Sequence, residues 1–425
     1  MKQNSLYKLA KNLFPLHRSL TGKGVVKTLN IIRKGHLKNL KIKKIKSGKK
    51  VFDWKVPEEW EIKDAYVKDN KKKTLINIKK NNLHVVQYST SVAKVVSKKE
   101  LFKHLHFSKK LPNAIPYVTS YYKKTWGFCL AYNEFKKIKG NNFYVCINSK
   151  FKKNGKMTYG EFFLKGKSKK EILLTTYICH PSMANNEISG ISVTTFLAKY
   201  FSKRKLYYSL RILFVPETIG SISYINKNLE KLKKNVIAAY NITCVGDDKN
   251  YSFINSRFEN TLTDRSAEET FNNMRIRFKK YNFLDRGSDE RQFNSPNVNI
   301  PMAVFTRSKF GTYKQYHTSE DDLNFISPKG LRESFLLIKN TIENIQNKII
   351  PISLNFCEPM MSKRKLYPAL SHAPMKKNTK NLMNFISYCD GNNELEYISK
   401  KIKLSFKETL KIFKKLKGVK IVNQL

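Results

Sequence analysis

Histidine and acidic side chains follow the ends of apolar segments in the second half of the chain. His180 directly follows the apolar segment 171–179, Glu217 follows a second one, and His317 lies downstream of a third. Two imidazoles and one carboxylate form a ligand set that binds zinc and leaves one position open for water. These three residues are therefore candidates for a catalytic metal site.

The periodicity of the sequence indicates how these candidates are positioned. From Glu171 onward, apolar segments typical of buried strands alternate with amphipathic helical segments, and a final helix opens at Ser327-Pro328. This alternation predicts an α/β fold with a mainly parallel sheet sandwiched by helices. Functional groups gather at the carboxyl ends of such strands, so we expect His180, Glu217 and residues 243–247 to converge there.

Outside the segment that starts at Glu171, the spacing of apolar and turn residues is different. Residues 4–34 have the spacing of two helices, whereas short alternating runs between turn residues predict a mostly-β insertion. The predicted organisation is a discontinuous α/β domain, an inserted β domain, a linker and a winged-helix-like domain. Their limits are 1–50 with 160–350, 51–159, 351–378 and 379–425, respectively.

The predicted winged-helix-like domain contains three short helices and a terminal strand. Ser405 and Glu408 form a capping box at the start of the third helix, and Gly418 ends it. A DNA-binding protein would direct the lysines of this helix to phosphates, but the helix has no arginine, asparagine or glutamine to read base edges. A solvated face is therefore favoured over DNA binding, and a protein contact is equally compatible. The lysines are Lys407, Lys411, Lys414, Lys415 and Lys417.

The composition is strongly basic. The chain has 425 residues and a formal net charge of +50, from 82 Lys and Arg against 32 Asp and Glu. This charge attracts nucleic acid and other anionic surfaces. Because lysine is scattered over nearly every segment rather than concentrated on one face, nucleic acid is a partner that the charge allows but does not favour.

Cysteine usage and hydropathy indicate the compartment. The six cysteines lie far apart with no C-x-x-C pair, which is typical of reduced thiols, and the N-terminus lacks the apolar core of a signal peptide. No segment approaches the roughly 20 apolar residues of a membrane span. We expect a soluble cytoplasmic protein with no membrane span, and the sequence does not indicate its oligomeric state.

Four motifs contain or flank the candidate residues: YICHPSMANNEISG, PETIGS, GSDERQFNSP and YHTSEDDLNFI. They resemble the zinc aminopeptidase superfamily that includes bacterial leucyl aminopeptidases and glutaminyl cyclases. The closer resemblance is to its bacterial aminopeptidase-like branch, which has an inserted β domain and a C-terminal winged helix and is often encoded among surface-polysaccharide genes. The segments LFPLHRSLTGKG, VFDWKVPEEW, NNLHVVQYS and IPYVTSYYKKTWGFC also fit this branch, so the resemblance spans nearly the whole chain.

The resemblance implies a zinc-dependent hydrolase that acts on a peptide or small amide. It implies that His180 and His317 bind metal and that Glu217 either binds metal or acts as the general base. In this chemistry the metal polarises the carbonyl and lowers the pKa of the attacking water, and a carboxylate takes the proton of that water.

Departures from the superfamily pattern limit the number of metal ions. Asn186 occupies the position of a bridging aspartate, and a neutral amide cannot bridge two divalent ions as a carboxylate does. We therefore expect one zinc ion rather than two, with Glu187 as a substitute after a small loop shift. The third-strand aspartate of the superfamily aligns with Thr243, which leaves Asp247 as a displaced candidate ligand.

The base is a second departure. Classical members have two consecutive glutamates, whereas a proline precedes Glu217 in this chain, so one residue would have to fill two roles. Asp289 and Glu290 could supply the base or orient a ligand. The alternative for these two carboxylates is a salt bridge to Arg286 or Arg291.

Two functions are compatible with these features. The first is a mononuclear zinc aminopeptidase-like hydrolase with an expected link to surface-polysaccharide metabolism, in which Tyr313 and Tyr316 either line the pocket or pack in the core. The second is a catalytically degenerate protein that binds a nucleic acid or protein partner through its winged helix and basic surface. The predicted catalytic residues are Glu217 and Asp289, and the predicted metal ligands are His180, Asn186, Glu217, Asp247 and His317.

Overall fold

The computed structural model describes residues 4–366 and 377–425, so residues 367–376 of the predicted linker lie outside the described part. Its helices are α1 Ser5–Leu13, α2 Lys23–Gly35, α3 Lys98–Lys103, α4 Tyr132–Phe135, α5 Ser189–Phe201, α6 Ile219–Asn235, α7 Leu262–Asn273, α8 Glu290–Phe293, α9 Pro328–Asn347, α10 Lys377–Ile386, α11 Leu395–Lys401 and α12 Phe406–Gly418. Its strands are β1 Lys41–Lys46, β2 Lys50–Val51, β3 Trp54–Lys55, β4 Glu59–Asp69, β5 Thr74–Asn77, β6 Val92–Ser97, β7 Leu105–His106, β8 Phe128–Cys129, β9 Asn142–Lys152, β10 Lys156–Leu164, β11 Ser168–Tyr177, β12 Tyr208–Val215, β13 Val236–Ile242, β14 Ser252–Ile254, β15 Lys279–Tyr281, β16 Met302–Thr306, β17 Pro351–Ser353 and β18 Val422–Gln424.

A sheet of eight strands forms the centre of the molecule, in the order β1-β10-β12-β11-β13-β16-β14-β15. The central pairs β12·β11, β11·β13 and β13·β16 are parallel, whereas antiparallel pairs join β1 to β10, β10 to β12 and β14 to β16. The predicted α/β fold with a parallel sheet centre is confirmed, and the antiparallel flanks make the complete sheet mixed.

Helices cover both faces of this sheet. Ile172 and Leu174 of β11 belong to an apolar core shared with α1, α5 and α9, whereas Leu173 belongs to the core on the other face, with α6. This alternation explains why β11 is apolar at consecutive positions, because both faces of a central parallel strand are buried. The carboxyl ends of the strands are left as the edge where polar groups gather.

A π-helical turn at Ala184–Ile188 precedes α5 and shapes the loop after His180. The buried carboxylate of Asp321 accepts hydrogen bonds from the backbone N–H groups of Asn185 at 2.6 Å and Asn186 at 2.9 Å. At Gly190, a Cβ atom would lie 2.4 Å from the carbonyl oxygen of Ile242. Glycine therefore allows α5 to approach the end of β13.

The inserted segment forms its own antiparallel sheet in the order β5-β4-β9-β6, with a separate apolar core that includes Val67, Phe128 and Val145. Strand β10 begins at Lys156 and belongs to the eight-stranded sheet, so it spans the predicted boundary between residues 159 and 160. The exact domain limits stay a prediction.

The C-terminal unit has the predicted winged-helix architecture. The side chain of Ser405 caps α12 together with Glu408, and β18 pairs antiparallel with β17, which comes from the segment predicted as linker. Arg265 of α7 pairs with Glu394 at 2.9 Å between Nε and Oε1, which ties this unit to the α/β domain. None of the helices within residues 4–366 and 377–425 has the length and hydropathy of a membrane span.

Candidate metal centre and active site

A cavity of about 980 Å³ opens between the carboxyl edge of the central sheet and the inserted β domain. Its base contains Cys179 and three of the predicted site residues, namely His180, Glu217 and His317. The hairpin region 48–58 and the segment 117–124 supply much of its wall. The structure thus brings together the three candidates that follow the strand ends.

A buried ion pair fixes the orientation of His180, which follows β11. The Nδ1 atom of His180 lies 2.9 Å from Oε2 of Glu187, and the Arg18 guanidinium donates to Oε1 of the same carboxylate at 2.7 Å. Because Nδ1 is engaged by Glu187, the Nε2 atom is left for the cavity and lies 3.7 Å from Oε2 of Glu217. A carboxylate behind a histidine is the usual support for a metal-binding imidazole.

The charge environment of His180 favours a positive group beside it. Burial alone would lower the pKa of His180, but the hydrogen bond to the Cys179 sulfur and the negative charge of the Glu187 carboxylate raise that pKa well above its ordinary value. Burial raises the pKa of the Cys179 thiol to about 11, so the thiol stays protonated near neutral pH. A metal cation at Nε2 would replace the proton that this environment otherwise retains.

His317 lies beside His180 with the opposite titration behaviour. The centroids of the two imidazole rings are 5.4 Å apart, and His317 stacks on Tyr316 at 3.9 Å. Burial, and then the proximity of His180, lower the pKa of His317 to about 3. Its imidazole is therefore neutral near pH 7, which is the form that binds a metal ion.

The inserted β domain holds His317 through Tyr117, which is absent from the predicted site residues. The backbone N–H of Tyr117 donates to the carbonyl oxygen of His317 at 2.9 Å, and its ring centroid lies 5.3 Å from His180 and 5.2 Å from His317. His317 has a φ of 56°, a left-handed conformation that non-glycine residues seldom adopt. The contact with Tyr117 supports this conformation and places the insertion directly at the site.

Glu217 follows β12, and a hydroxyl holds its carboxylate. The Ser288 hydroxyl donates to Oε1 at 2.8 Å, which leaves Oε2 for His180. The next residue, Thr218, has a φ of 64°, and its N–H donates to Oδ1 of Asp289 at 2.8 Å. A β-branched residue in this conformation is a strained position of the kind that clusters at functional sites.

Asp289 is a buried acid near Glu217. Its Oδ2 atom has no hydrogen-bond partner within the described residues. Burial, followed by the charge of Glu217, raises the pKa of Asp289 to about 8. Near neutral pH Asp289 is therefore mostly protonated, which leaves Glu217 as the charged member of the pair.

The alternative salt bridges of Asp289 and Glu290 are not observed. Across the described part of the chain, neither carboxylate has a lysine or arginine nitrogen within 4.0 Å. Glu290 instead accepts from the backbone N–H groups of Gly287 at 2.7 Å and Ser288 at 3.0 Å, which fixes the loop that carries Ser288. Arg291 donates to the Thr218 hydroxyl at 2.8 Å.

Asn186 and Thr243 lie in a buried set of uncharged side chains, which we call the neutral cluster; it also contains Tyr177, Cys244 and Tyr313. The Tyr177 hydroxyl lies 2.6 Å from Oδ1 of Asn186 and is also hydrogen-bonded to Thr243. The Cys244 sulfur lies 3.6 Å from the Tyr313 hydroxyl. None of these five side chains lines the cavity. The amide oxygen of Asn186 thus has a hydrogen-bond partner within the neutral cluster.

Asp247 has a structural hydrogen-bonding role. Its carboxylate accepts from Asn185 Nδ2 at 3.0 Å, from Lys249 N at 2.9 Å, and from the N–H and hydroxyl of Ser308 at 3.0 and 2.9 Å. These bonds engage both oxygens, and Asp247 does not line the cavity. Its role as a ligand stays a prediction that the geometry does not favour. Tyr316 also does not line the cavity, and Tyr313 stacks on Phe325 at 5.1 Å.

The residues at the base of the cavity fit a zinc ion by their chemistry. Within the described ranges, one group of three His, Cys, Asp or Glu side chains has its ligand atoms all within 4.8 Å of one another. It consists of Cys179, His180 and Glu187. In that trio the thiol is protonated and Glu187 is neutralised by Arg18. We therefore favour a metal position on the opposite side of the His180 imidazole, next to its Nε2 atom. There His180 Nε2, Glu217 and His317 offer two imidazoles and a carboxylate that line the cavity, but among the described residues the ligand atoms of these three are not all within 4.8 Å of one another.

This fold and site define an aminopeptidase-like α/β protein with a C-terminal winged helix. A family model described as a domain of unknown function, DUF4910, matches residues 7–348, and a winged helix-turn-helix model matches residues 350–424. The chain belongs to the DUF4910 family.

Relatives agree with this assignment. A protein of Clostridium acetobutylicum named "Putative polysaccharide biosynthesis protein with aminopeptidase-like domain" is 44% identical over 363 residues, which cover 85% of this chain and 82% of that protein. The crystal structure of a "putative peptidase" from Clostridium acetobutylicum covers 100% of this chain and 96% of its own, with 39% identity and a TM-score of 0.81. The zinc aminopeptidase BSAP from Bacillus subtilis shares the fold at 14% identity and a TM-score of 0.60, over 81% of this chain and 95% of its own.

Proposed function

We propose that the protein is a zinc-dependent hydrolase of a peptide or small amide and that it uses one metal ion. The observation that carries this proposal is the convergence of His180, Glu217 and His317 at the base of one cavity, with His180 Nε2 3.7 Å from the Glu217 carboxylate. His180 and His317 are the proposed imidazole ligands. Glu217 is the proposed base: its Oε1 atom accepts from the Ser288 hydroxyl, which leaves Oε2 to take the proton.

The relatives support this reaction class. The similar Clostridium acetobutylicum proteins are named for an aminopeptidase-like domain and as a peptidase, and the Bacillus subtilis protein with the same fold is a zinc aminopeptidase. The polysaccharide name of one relative supports a proposed role in polysaccharide biosynthesis.

The neutral cluster supports a single ion. A second divalent ion needs an anionic bridging ligand, and the positions of the two superfamily aspartates hold Asn186 and Thr243. The Tyr177 hydroxyl bonds both side chains, and neither side chain lines the cavity.

The side chains divide the chemistry between them. When bound, the zinc ion supplies Lewis-acid polarisation of the amide carbonyl and a lowered pKa for water. Glu217 takes a proton from the attacking water and transfers it to the leaving nitrogen, while the Ser288 hydroxyl orients its other oxygen. Protonated Asp289 keeps the second carboxyl neutral, so the negative charge stays on Glu217.

Hydrolysis of aminoacyl and acyl arylamides by the zinc-supplemented protein tests the proposal. We expect turnover that Glu217→Gln lowers by roughly 10²–10⁴-fold in kcat, because the proton acceptor is lost. Glu230→Gln, at an exposed position of α6, is the matched control and should keep wild-type turnover. Equal activity of the two variants would exclude Glu217 as the base.

A second candidate function is a binding or regulatory role without catalysis. The neutral cluster and the exposed lysines of α12 favour it. Such a protein would bind its partner equally well with and without zinc. A partner interaction that persists unchanged in Glu217→Gln and in His180→Ala would support this candidate over the hydrolase.

A further inference from the structure

The unpaired charges that line the cavity are cationic. Lys55, Lys153 and Arg291 line it, and each is exposed without a carboxylate oxygen within 4.0 Å among the described residues. The fourth basic lining residue, Lys124, pairs with Glu58 at 3.4 Å.

The cavity offers little to a cationic substrate group. Its acidic lining residues are Glu58 and Glu217. Glu58 is neutralised by Lys124, and the two oxygens of Glu217 face Ser288 and His180. A free α-ammonium group would therefore enter a cavity with three unpaired cations and no free carboxylate on its lining, and like charges at short range repel.

Arg291 is the best-placed of the three cations. Its Nη2 atom donates to the Thr218 hydroxyl at 2.8 Å, which holds the guanidinium next to the residue that follows Glu217. A guanidinium has five donors in a planar arrangement, so the remaining N–H groups can bind a carboxylate or phosphate. Lys55 and Lys153 add charge on the same cavity without fixing direction.

We infer, on the basis of the proposed hydrolase function, that the substrate is an amide that carries an anionic group, a carboxylate or a phosphate. Arg291 binds this group beside the scissile bond, and Lys55 and Lys153 attract it into the cavity. The substrate class thus differs from a peptide that is held by its free N-terminal ammonium.

Binding measurements separate this local recognition from the general attraction of a chain with net charge +50. The probes are the α-carboxamides of N-acetylglutamate, of its neutral analogue N-acetylglutamine and of N-acetylphosphoserine, so that only the side chain carries charge; they are titrated by calorimetry into the zinc-supplemented full chain at about 0.15 M salt, where remote charges are screened. We expect the better anionic probe to bind on the order of tenfold more tightly than the α-carboxamide of N-acetylglutamine, because a charged hydrogen bond is gained. The stronger of the two anions identifies a carboxylate or a phosphate substrate.

Variants of equal charge test the role of Arg291. Arg291→Met should remove the preference for the anion, whereas Arg277→Met, at an exposed position that does not line the cavity, should retain it. If Arg291→Met unfolds in a thermal melt, Lys153→Met is used in its place, with an expected loss of at least half of the preference. The inference is wrong if wild type shows no preference for either anion, or if the Arg277→Met control loses as much as the cavity variant.

Arylamide hydrolysis, measured on the same preparations, keeps this inference distinct from the proposed function. Anion preference that depends on Arg291 without any hydrolysis would leave the anion subsite standing and remove the hydrolase. Hydrolysis with equal KM for anionic and neutral amides would support the hydrolase and remove the anion subsite.

Discussion

The cavity side of His180 and the buried neutral cluster differ in whether they contain groups that can bind a metal ion. On the cavity side, His180, Glu217 and His317 keep titratable groups beside solvent. On the buried side, the neutral cluster contains hydroxyl, amide and thiol groups that contact one another. Uncharged groups satisfy one another without a cation, whereas an imidazole and a carboxylate on an open cavity remain available to one. The difference supports one ion rather than two.

The largest expected effect comes from breaking the buried ion pair of Arg18 and Glu187, which supports His180. Glu187→Gln would leave the buried guanidinium of Arg18 without its counter-charge, and we expect a loss of about 3–5 kcal/mol in the free energy of unfolding. Urea denaturation measures this loss.

The control for this prediction is Glu100→Gln, which removes the charge of an exposed carboxylate that contacts Lys103 at 3.4 Å and His104 at 3.2 Å and should lower the free energy of unfolding far less. If Glu187→Gln lowers the free energy of unfolding no more than Glu100→Gln does, the Arg18–Glu187 pair does not stabilise the site.

Asn186→Asp places a carboxylate in the neutral cluster, so that the buried side also offers an anionic ligand. A carboxylate in the neutral cluster lacks a counter-charge, so we expect a loss of about 3 kcal/mol in stability without metal. Added zinc should recover part of this loss by binding the new carboxylate. Thermal melts with and without zinc measure both effects.

Asn186→Ala is the control, because it removes the amide without adding charge. Recovery by zinc in the Asp variant but not in the Ala variant is the expected pattern. If zinc raises the melting temperature of both variants by the same amount as that of wild type, the cluster does not lie at a metal position.

Tyr117 connects the inserted domain to the cavity side. Tyr117→Ala removes the ring that packs against both imidazoles, and we expect zinc affinity to fall by roughly 10-fold, as for other groups that orient metal ligands. Tyr117→Phe keeps the ring and loses only the 2.9 Å bond to the Tyr121 hydroxyl, so its affinity should stay near wild type. Competition with a chelator of known affinity measures the change.

Tyr122→Ala provides a control at the cavity mouth, where the side chain is 85% exposed. A loss of zinc affinity in this variant equal to that in Tyr117→Ala would assign the effect to the cavity wall in general.

The smallest effect is expected in the winged helix. Lys411→Ala with Lys415→Ala removes two exposed charges of α12, and binding to duplex DNA should change no more than after removal of two other exposed lysines, Lys203 and Lys205. Fluorescence anisotropy over a salt series measures the affinity and its salt dependence. A specific loss in the α12 variant would establish a nucleic-acid surface that the even lysine distribution does not favour.

The strands and helices that carry the site could be predicted because their apolar patterns are regular. The amphipathic helical segments predicted after Glu171 include α5, and the predicted final helix begins at Pro328 as α9. Position at the strand ends, together with the family resemblance, was enough to group His180, Glu217 and His317. The metal-binding and catalytic roles of these residues remain predictions.

The supporting residues could not be predicted from local pattern. Arg18 and Tyr117 lie far from His180 in the sequence, and their contacts arise only when the N-terminal segment and the insertion fold against the sheet. Asp321 follows His317 in a run of three acidic residues that begins at Glu320, but the sequence does not show which carboxylate is buried to cap the turn at Asn185. Burial, rather than residue type, decides the role of such groups.

Zinc content per chain tests the central claim most directly. The purified full chain is saturated with zinc, freed of excess ion and measured by elemental mass spectrometry beside His180→Ala and a His106→Ala control in the inserted domain. We expect about one zinc ion per chain in wild type and in the control, and none above background in His180→Ala. No zinc in wild type, two ions per chain, or full retention in His180→Ala would contradict a mononuclear site at this cavity.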